Sequence, residues 1–152
     1  MIRNLIKDSY NKIFNQLYDI TEGKVILSGS LGLKLQNIIK REVNDLDVNI
    51  LSSDWEIYKN NIEKSFRVHP SIQVRYGTLE YDVYSCFDKK TKLENFHLFV
   101  NYGEDIFLTL NGIRVLKPSI HLIDKEMIVK SGQDINKHES DIVLIKKHLN
   151  EK

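Results

Sequence analysis

The chain has 152 residues, of which 41% are hydrophobic and 28% are charged, and its formal net charge is +1. These values are typical of a soluble globular protein, so we expect one domain over residues 1–152, and no general basic field argues for nucleic-acid binding. One cysteine, Cys86, excludes an intrachain disulfide, and the lack of a signal peptide or a membrane-length apolar run predicts a cytoplasmic protein with no membrane partner.

The first half of the chain switches repeatedly between helical and strand spacing of its apolar residues. The predicted helix, strand, helix, strand and helix cover residues 2–20, 24–28, 30 onward, 46–51 and 54–66. The second switch falls at Gly29-Ser30, which is therefore a predicted strand-to-helix turn. The period-two alternation in LDVNIL, residues 46–51, is typical of a strand with one buried face.

The second half begins with strand patterns and ends with helical ones. The predicted strands cover residues 71–76, 78–87, 95–102 and 112–116, and the predicted helices cover residues 119–130 and 136–149. The predicted order is thus alternating helices and strands, then a run of strands, then two helices. This order favours an α+β domain in which helices cover a mixed sheet.

Two aspartates, Asp45 and Asp47, stand one residue apart at the second predicted strand. Side chains two apart on a strand share a face, and their Cα atoms lie roughly 6.5 Å apart. Two such carboxylates repel each other and are costly to bury, whereas a divalent cation such as Mg²⁺ or Mn²⁺ removes the problem. Taken alone, the pair is also compatible with Asp45 in a turn and Asp47 facing solvent at a sheet edge.

The Gly29-Ser30 pair indicates a second kind of site. Glycine at a strand end lets the backbone approach a ligand closely, and the N-terminus of the following helix attracts anions. The Ser30 hydroxyl is suited either to cap that helix or to donate a hydrogen bond to a phosphate. Together with the two aspartates, the pair predicts a phosphate site beside a metal site.

These residues resemble a motif of the nucleotidyltransferase superfamily related to DNA polymerase beta. The similarity is greatest to small bacterial members, the lincosamide-type and toxin-system nucleotidyltransferases. The family pattern is an apolar residue, Gly-Ser or Gly-Gly, a helix, and then Asp-apolar-Asp-apolar. The residues that match it are Leu27, Gly29, Ser30, Asp45, Leu46, Asp47 and Val48. Fourteen residues separate Ser30 from Asp45, and many members also carry an arginine at the position of Arg41.

Two further motifs extend the resemblance towards the end of the chain. The third carboxylate of the family lies on a later strand, where Asp82 in LEYDVYS fits and Glu80 and Asp88 are the neighbouring alternatives. Small members often end with a basic residue followed by a polar or acidic one and xxDI on a late helix. KHESDI, which begins at Lys137, is similar to that ending.

The resemblance implies a nucleotidyltransferase-like fold and transfer of a nucleoside monophosphate from an NTP to an acceptor hydroxyl, with release of pyrophosphate. It implies that Asp45, Asp47 and Asp82 are catalytic and hold two Mg²⁺ or Mn²⁺ ions, and that Asp82 also helps to deprotonate the acceptor. The residues implied to bind the NTP phosphates are Gly29, Ser30, Arg41 and Lys137.

Two other functions stay open. A catalytically silent member of the fold, which binds nucleotide or a protein partner, would carry the same motifs. A glycosyltransferase that uses Asp-x-Asp with Mn²⁺ is disfavoured by the short chain and by the Gly-Ser pair, which has no role there. The acceptor is a small molecule such as an antibiotic, a tRNA end or a protein, and the short chain leads us to expect a homodimer or a partner protein to complete the cleft.

Overall fold

A computed structural model of the chain describes Ile2 and residues 4–76, 79–90, 95–132 and 135–151. Within these ranges it contains five helices and seven strands, and the strands form one sheet. None of the described helices is long and apolar enough to cross a membrane. The elements in chain order are α1 (Asp8–Ile20), β1 (Ile26–Leu27), α2 (Gly29–Leu35), β2 (Asp47–Leu51), α3 (Ser52–Ser65), β3 (Phe66–Tyr76), β4 (Leu79–Asp88), β5 (Asn95–Asn101), β6 (Phe107–Leu110), β7 (Ile113–Leu116), α4 (Pro118–Lys130) and α5 (Ile135–Asn150).

The sheet has the strand order β3-β4-β5-β2-β1-β7-β6. Strand β2 runs parallel to β5 and β1 runs parallel to β7, whereas the other neighbouring strands are antiparallel. This mixed sheet flanked by helices confirms the predicted α+β fold class. The chain enters the sheet at its middle, so β1, which precedes the Gly-Ser pair, and β2, which begins at Asp47, are adjacent internal strands.

The sheet has two different faces because side chains alternate along each strand. Val48 and Leu98 are register partners on one face, and they join α1 and α3 in the main hydrophobic core. Asn49 and Phe99 are register partners on the opposite face, where Phe99 and Ile120 of α4 pack against Tyr81 and Val83. We call these the core face and the cleft face.

Two predicted boundaries differ from the structure by five residues or more. Helix α1 begins at Asp8 and not at residue 2, although Ile2 is buried. Strand β3 begins at Phe66, inside the predicted helix, and it continues through Pro70 with a register irregularity. Proline is tolerated there because β3 is an edge strand. Residue 78, at which the next strand was predicted to begin, lies outside the described residues.

Strand β6 is absent from the sequence-based prediction. It forms a two-residue hairpin with β7 through Asn111 and Gly112, whose φ angles are 49° and 81°. An Asn-Gly pair with both φ angles positive is typical of the tight turn that matches the twist of two antiparallel strands. The Asn-Gly dipeptide was therefore the local signal for this hairpin.

Candidate active site

A cleft lies between the cleft face of the sheet and helices α4 and α5. It is bounded on the sheet side by the end of β1, the start of α2 and side chains of β2, β4 and β5. Across from these stand one face of α4 and the first turn of α5. Its lining includes Ser28, Gly29, Ser30, Asp47, Asn49, Tyr81, Phe99, His121, Asp124, Lys125, Lys137 and His138.

Gly29 brings the start of α2 against the Asp47 side chain. Its φ angle is +60°, and a Cβ atom at this position would overlap the Asp47 carboxylate. The Ser28 N–H donates a hydrogen bond of 3.1 Å to the Asp47 carbonyl oxygen, which fixes the end of β1 beside β2. Glycine alone combines an easy left-handed backbone with the absence of a Cβ atom. The predicted strand-to-helix turn and the predicted Asp-x-Asp motif therefore meet directly.

The two motif aspartates differ in their surroundings. Asp45 is exposed in the loop before β2, whereas Asp47 is the first residue of β2 and its side chain is 26% exposed. Asp47 Oδ1 lies 3.3 Å from Nδ1 of His97 on the adjacent strand β5. The hydrogen bond to Asp47 raises the pKa of His97, against the effect of burial, and the charges of Asp47 and Asp45 raise it further. Both carboxylates therefore act on the same imidazole.

Arg41 connects Ser30 to the helical side of the cleft. Its Nη2 atom donates to Ser30 Oγ at 2.6 Å and to Asp141 Oδ2 at 2.7 Å. Lys125 Nζ donates to the same Asp141 oxygen at 2.9 Å, and it also lies 3.1 Å from His138 Nδ1. Ser30 is the second residue of α2, which begins after Ser28 as its N-cap. The Ser30 hydroxyl is thus held by Arg41 and does not occupy the capping position.

Asp141 is the centre of this network. It is 1% exposed, and burial by itself raises its pKa, but the hydrogen bonds from Arg41 and Lys125 outweigh burial and lower the pKa. Burial lowers the pKa of Lys125, against the effect of its hydrogen bond to Asp141. A carboxylate shared by two cations joins α4 and α5 to the loop that follows α2. The spatial position of Arg41 therefore depends on residues about 100 positions later in the chain.

Comparison with solved structures identifies the fold of the chain. The chain is similar to a candidate nucleotidyltransferase from Thermotoga maritima, with a TM-score of 0.57, 16% sequence identity and coverage of 99% of this chain and 98% of the other. It is also similar to the Megavirus polyadenylate synthase, with a TM-score of 0.57 and 12% identity, over 91% of this chain and 31% of that enzyme. The chain has a nucleotidyltransferase fold. No protein-family model and no curated protein sequence matches it.

Within the nucleotidyltransferase fold, the structure does not bring Asp82 together with Asp47. Asp82 of β4 pairs with Val100 of β5, and Val100 pairs with Ile50 of β2. Register partners share a face, and Ile50 is three residues after Asp47, so Asp82 points to the core face. The Tyr102 hydroxyl donates a hydrogen bond to the Asp82 carboxylate.

The neighbouring alternatives for a third carboxylate lie on the same side as Asp82. Glu80 and Asp88 are an even number of residues from Asp82 along β4, so strand alternation directs them to the core face as well. On the cleft face, the residue of β5 that is paired with Asp47 is His97. Among the described residues, no group of three or more Asp, Glu, His or Cys side chains is arranged to hold a metal ion.

The remaining predicted phosphate ligands are found at the cleft or beside it. Gly29, Ser30 and Lys137 line the cleft, and Lys137 is exposed in the first turns of α5. Arg41 does not line the cleft and contacts it through Ser30. The site thus combines the Asp47 carboxylate at the start of β2 with cationic side chains from three separate segments of the chain. These are Arg41, Lys125 and Lys137.

Sequence reasoning missed the contribution of α4. His121, Asp124, Lys125 and Ile128 recur at helical spacing, and all four line the cleft. The Tyr81 hydroxyl donates a hydrogen bond of 2.9 Å to Asp124 Oδ1. The sequence did contain a signal for this contribution. Polar residues share one helical face with the apolar Ile128, whereas a helical face that packs against a sheet is normally apolar.

Burial shifts the pKa values of two of these α4 side chains, Asp124 and His121, and so determines their charge at neutral pH. It raises the pKa of Asp124 to about 6, although the Tyr81 hydrogen bond and the Lys125 charge both lower it. Burial, together with the Lys125 charge, lowers the pKa of His121 to about 3. At neutral pH, Asp124 is therefore mainly a carboxylate and His121 is neutral.

Proposed function

We propose that the chain is a metal-dependent nucleotidyltransferase that transfers a nucleoside monophosphate from an NTP to an acceptor hydroxyl and releases pyrophosphate. The observation that carries this proposal is the close approach of Gly29 to the Asp47 carboxylate, in a cleft whose opposite wall presents Lys125 and Lys137. The Asp47 carboxylate on one side suits a metal ion, and the exposed Lys137 ammonium on the other suits phosphate oxygens. The fold supports this kind of reaction.

The Asp47 carboxylate is the oxygen donor that would hold one divalent cation at this end of the cleft. Asp47 lines the cleft, and we propose that the exposed Asp45, two residues earlier in the chain, supplies the second carboxylate. Mg²⁺ usually binds through one or two carboxylates and completes its shell with water and substrate phosphates, and Mn²⁺ accepts the same hard donors. When bound, the ion would neutralise charge on the triphosphate and on the leaving pyrophosphate. Because Asp82 faces the core, we do not propose it as a metal ligand or as the group that deprotonates the acceptor.

The phosphates would be bound by side chains and by backbone at the base of the cleft. Gly29 has no side chain between its backbone and the cleft, and Ser30 is the next residue of the cleft lining. Lys137 would supply a positive charge for the outer phosphates. Arg41 would act mainly by holding Ser30, because its guanidinium is already shared with Asp141.

A catalytically silent protein that binds nucleotide is the second candidate. One observation favours it: the strand residue paired with Asp47 is His97 and not a third carboxylate. A binding protein of this kind would retain metal-dependent NTP affinity and would lack transfer. The two candidates therefore differ in a single measurable step.

The test uses NTPs that carry a label on the α-phosphate or on the γ-phosphate. Each is incubated with the protein, Mg²⁺ and a cell extract, and the small molecules, RNA and proteins of the extract are then separated. The proposal predicts that the α-label enters an acceptor in one fraction, while the γ-label leaves as pyrophosphate. Asp47→Asn should abolish the transfer, and Asp105→Asn, at an exposed residue outside the cleft lining, should retain it.

Two outcomes would contradict the transfer. If Mg²⁺ and NTP bind but no α-label reaches any fraction, the silent candidate is favoured. If the γ-label enters an acceptor, the protein transfers a phosphoryl group and not a nucleotidyl group.

A further inference from the structure

One end of the cleft has walls suited to a flat aromatic ring. This inner pocket is formed by Tyr81, Phe99, Asp124 and Ile128, which line the same cleft as Gly29. The rings of Tyr81 and Phe99 contact each other edge to face, with centroids 5.5 Å apart and planes at 77°. Aromatic and aliphatic walls with few polar groups are typical of pockets that bind planar ligands, because the polar groups fix the orientation of the ligand.

The inner pocket lies at a suitable separation from the proposed phosphate site. Tyr81 is on β4 and Ser28 follows β1, and strands β5 and β2 lie between them. Three interstrand steps correspond to roughly 14 Å across the sheet, and the register places Tyr81 level with Leu51, four residues beyond Asp47, which adds roughly 13 Å along the strands. The two backbone positions are therefore roughly 19 Å apart. An extended nucleoside triphosphate can span such a separation, so phosphates beside Gly29 would place the base near Tyr81.

The cleft also contains buried polar atoms that have no partner among the described residues. These are Ser28 Oγ and His121 Nε2, whose residues are 2% and 3% exposed. Buried polar groups in proteins are nearly always hydrogen-bonded, and leaving one unpaired costs free energy. Two such atoms in the lining of one cleft indicate that the cleft is built for a ligand with several polar groups.

Asp124 is the acidic group of the inner pocket, and its chemistry selects among the bases. The Tyr81 hydroxyl orients it through Oδ1. An ionised carboxylate only accepts hydrogen bonds, and its two oxygens accept about four. Guanine presents two adjacent donors, N1–H and the 2-amino group, on one edge. Adenine and cytosine each present one amino donor beside a ring acceptor, and uracil presents one N–H donor between two carbonyl acceptors.

We propose that the inner pocket binds a guanine base and that Asp124 accepts hydrogen bonds from its N1–H and 2-amino groups. GTP is then the nucleotide that the proposed transferase uses. This inference rests on the proposed function, because it needs the triphosphate to bind at Gly29 and Asp47. It adds the identity of the nucleotide, which the transfer reaction alone does not specify.

The first test measures the affinity of the wild-type protein by calorimetry with Mg²⁺ and each of GTP, ITP, ATP, CTP, UTP and tripolyphosphate. GTP should bind roughly 10- to 100-fold more tightly than ATP, CTP or UTP, because hydrogen bonds to a charged group are lost with the other bases. ITP lacks the 2-amino group and should fall between GTP and ATP. Tripolyphosphate reports on the phosphate and metal site without any base.

The second test exchanges the acceptor for a donor. Asp124→Asn keeps the shape of the side chain, and its amide can donate to the C2 carbonyl of xanthine, which replaces the 2-amino group of guanine. The variant should bind XTP more tightly than GTP and should bind tripolyphosphate as the wild type does. Glu126→Gln is the control, because it removes the same charge at an exposed residue of the same helix. It should leave the order of nucleotides unchanged.

The possible results separate this inference from the proposed function. A preference for GTP that Asp124→Asn shifts to XTP would support the guanine site. Equal binding of all NTPs, a preference for another base, or a GTP preference that survives Asp124→Asn would overturn it and leave the metal and phosphate site intact. Failure of every NTP and of tripolyphosphate to bind would overturn both.

Discussion

The two faces of the central sheet differ in chemistry although they are built from the same strands. On β2, Asp47 and Asn49 point to the cleft face, and the alternating residues Val48 and Ile50 point to the hydrophobic core. Asp82 stands in the same apolar-Asp-apolar pattern as Asp47, yet it lies on the core face. The sequence pattern identifies a strand aspartate, but the face depends on the register across two further strands, which is not a local property.

The largest expected effect is on the core face, in Phe96→Ala. Phe96 is 1% exposed, and its ring contacts Phe66 edge to face with centroids 5.1 Å apart. Removing a buried phenyl ring should lower the free energy of unfolding by about 3–5 kcal/mol. Urea denaturation measures this. Phe99→Ala, a half-buried residue on the cleft face, should cost less stability and more nucleotide affinity, and equal stability losses would contradict the division between the faces.

A somewhat smaller effect is expected for Asp141→Ala, which tests the connection of the cleft to α5. The substitution leaves Lys125, whose side chain is 7% exposed, without its carboxylate partner. Breaking a buried ion pair costs about 3–5 kcal/mol, and we expect the lower end because Arg41 is 34% exposed. The affinity for NTP should fall as well, since Arg41 no longer holds Ser30. A variant with wild-type stability and affinity would show that the network is dispensable.

The sequence predicts the features that depend on neighbouring residues, and it fails for most features that depend on contacts between distant parts of the chain. The helices and strands around Gly29 and Asp47 were predicted because capping, glycine and apolar spacing act over a few residues. The face of Asp82 was not predictable, because it depends on pairing through β5. Lys125 was missed for the same reason, since it becomes a site residue only when α4 packs against Asp141. The β6 hairpin was missed although its Asn-Gly turn was a local signal.

A third prediction concerns the pH dependence of stability at the α4 side of the cleft. The unfolded chain protonates His121 near pH 6.5, whereas the folded chain does so only near pH 3, so His121 makes acidification destabilising between these values. Asp124 has the opposite effect, because its folded pKa of about 6 exceeds the ordinary value of 3.8, and the folded state loses stability as pH rises through that window. Lys125, on the same helix, lowers both pKa values, whereas the Asp141 charge raises that of His121.

The two contributions oppose each other between about pH 4 and pH 6. Asp124→Asn removes one of them, so the variant should lose about 1–2 kcal/mol more stability than the wild type when the pH falls from 6 to 4. Urea denaturation across this range measures the difference. His121→Asn should show the reverse dependence. Parallel pH profiles for the wild type and both variants would exclude this assignment of charge.

The central claim is that nucleotide and metal bind on the cleft face, and a matched pair of substitutions tests it most directly. Asp47→Asn and Asp82→Asn make the same change at half-buried residues on opposite faces of the sheet. Calorimetry with Mg²⁺ and each NTP should show a loss of metal-dependent affinity of about 100-fold or more for Asp47→Asn. Asp82→Asn should stay within about twofold of the wild type. A loss of metal-dependent affinity in Asp82→Asn, with Asp47→Asn unaffected, would contradict the assignment of the site to the cleft face.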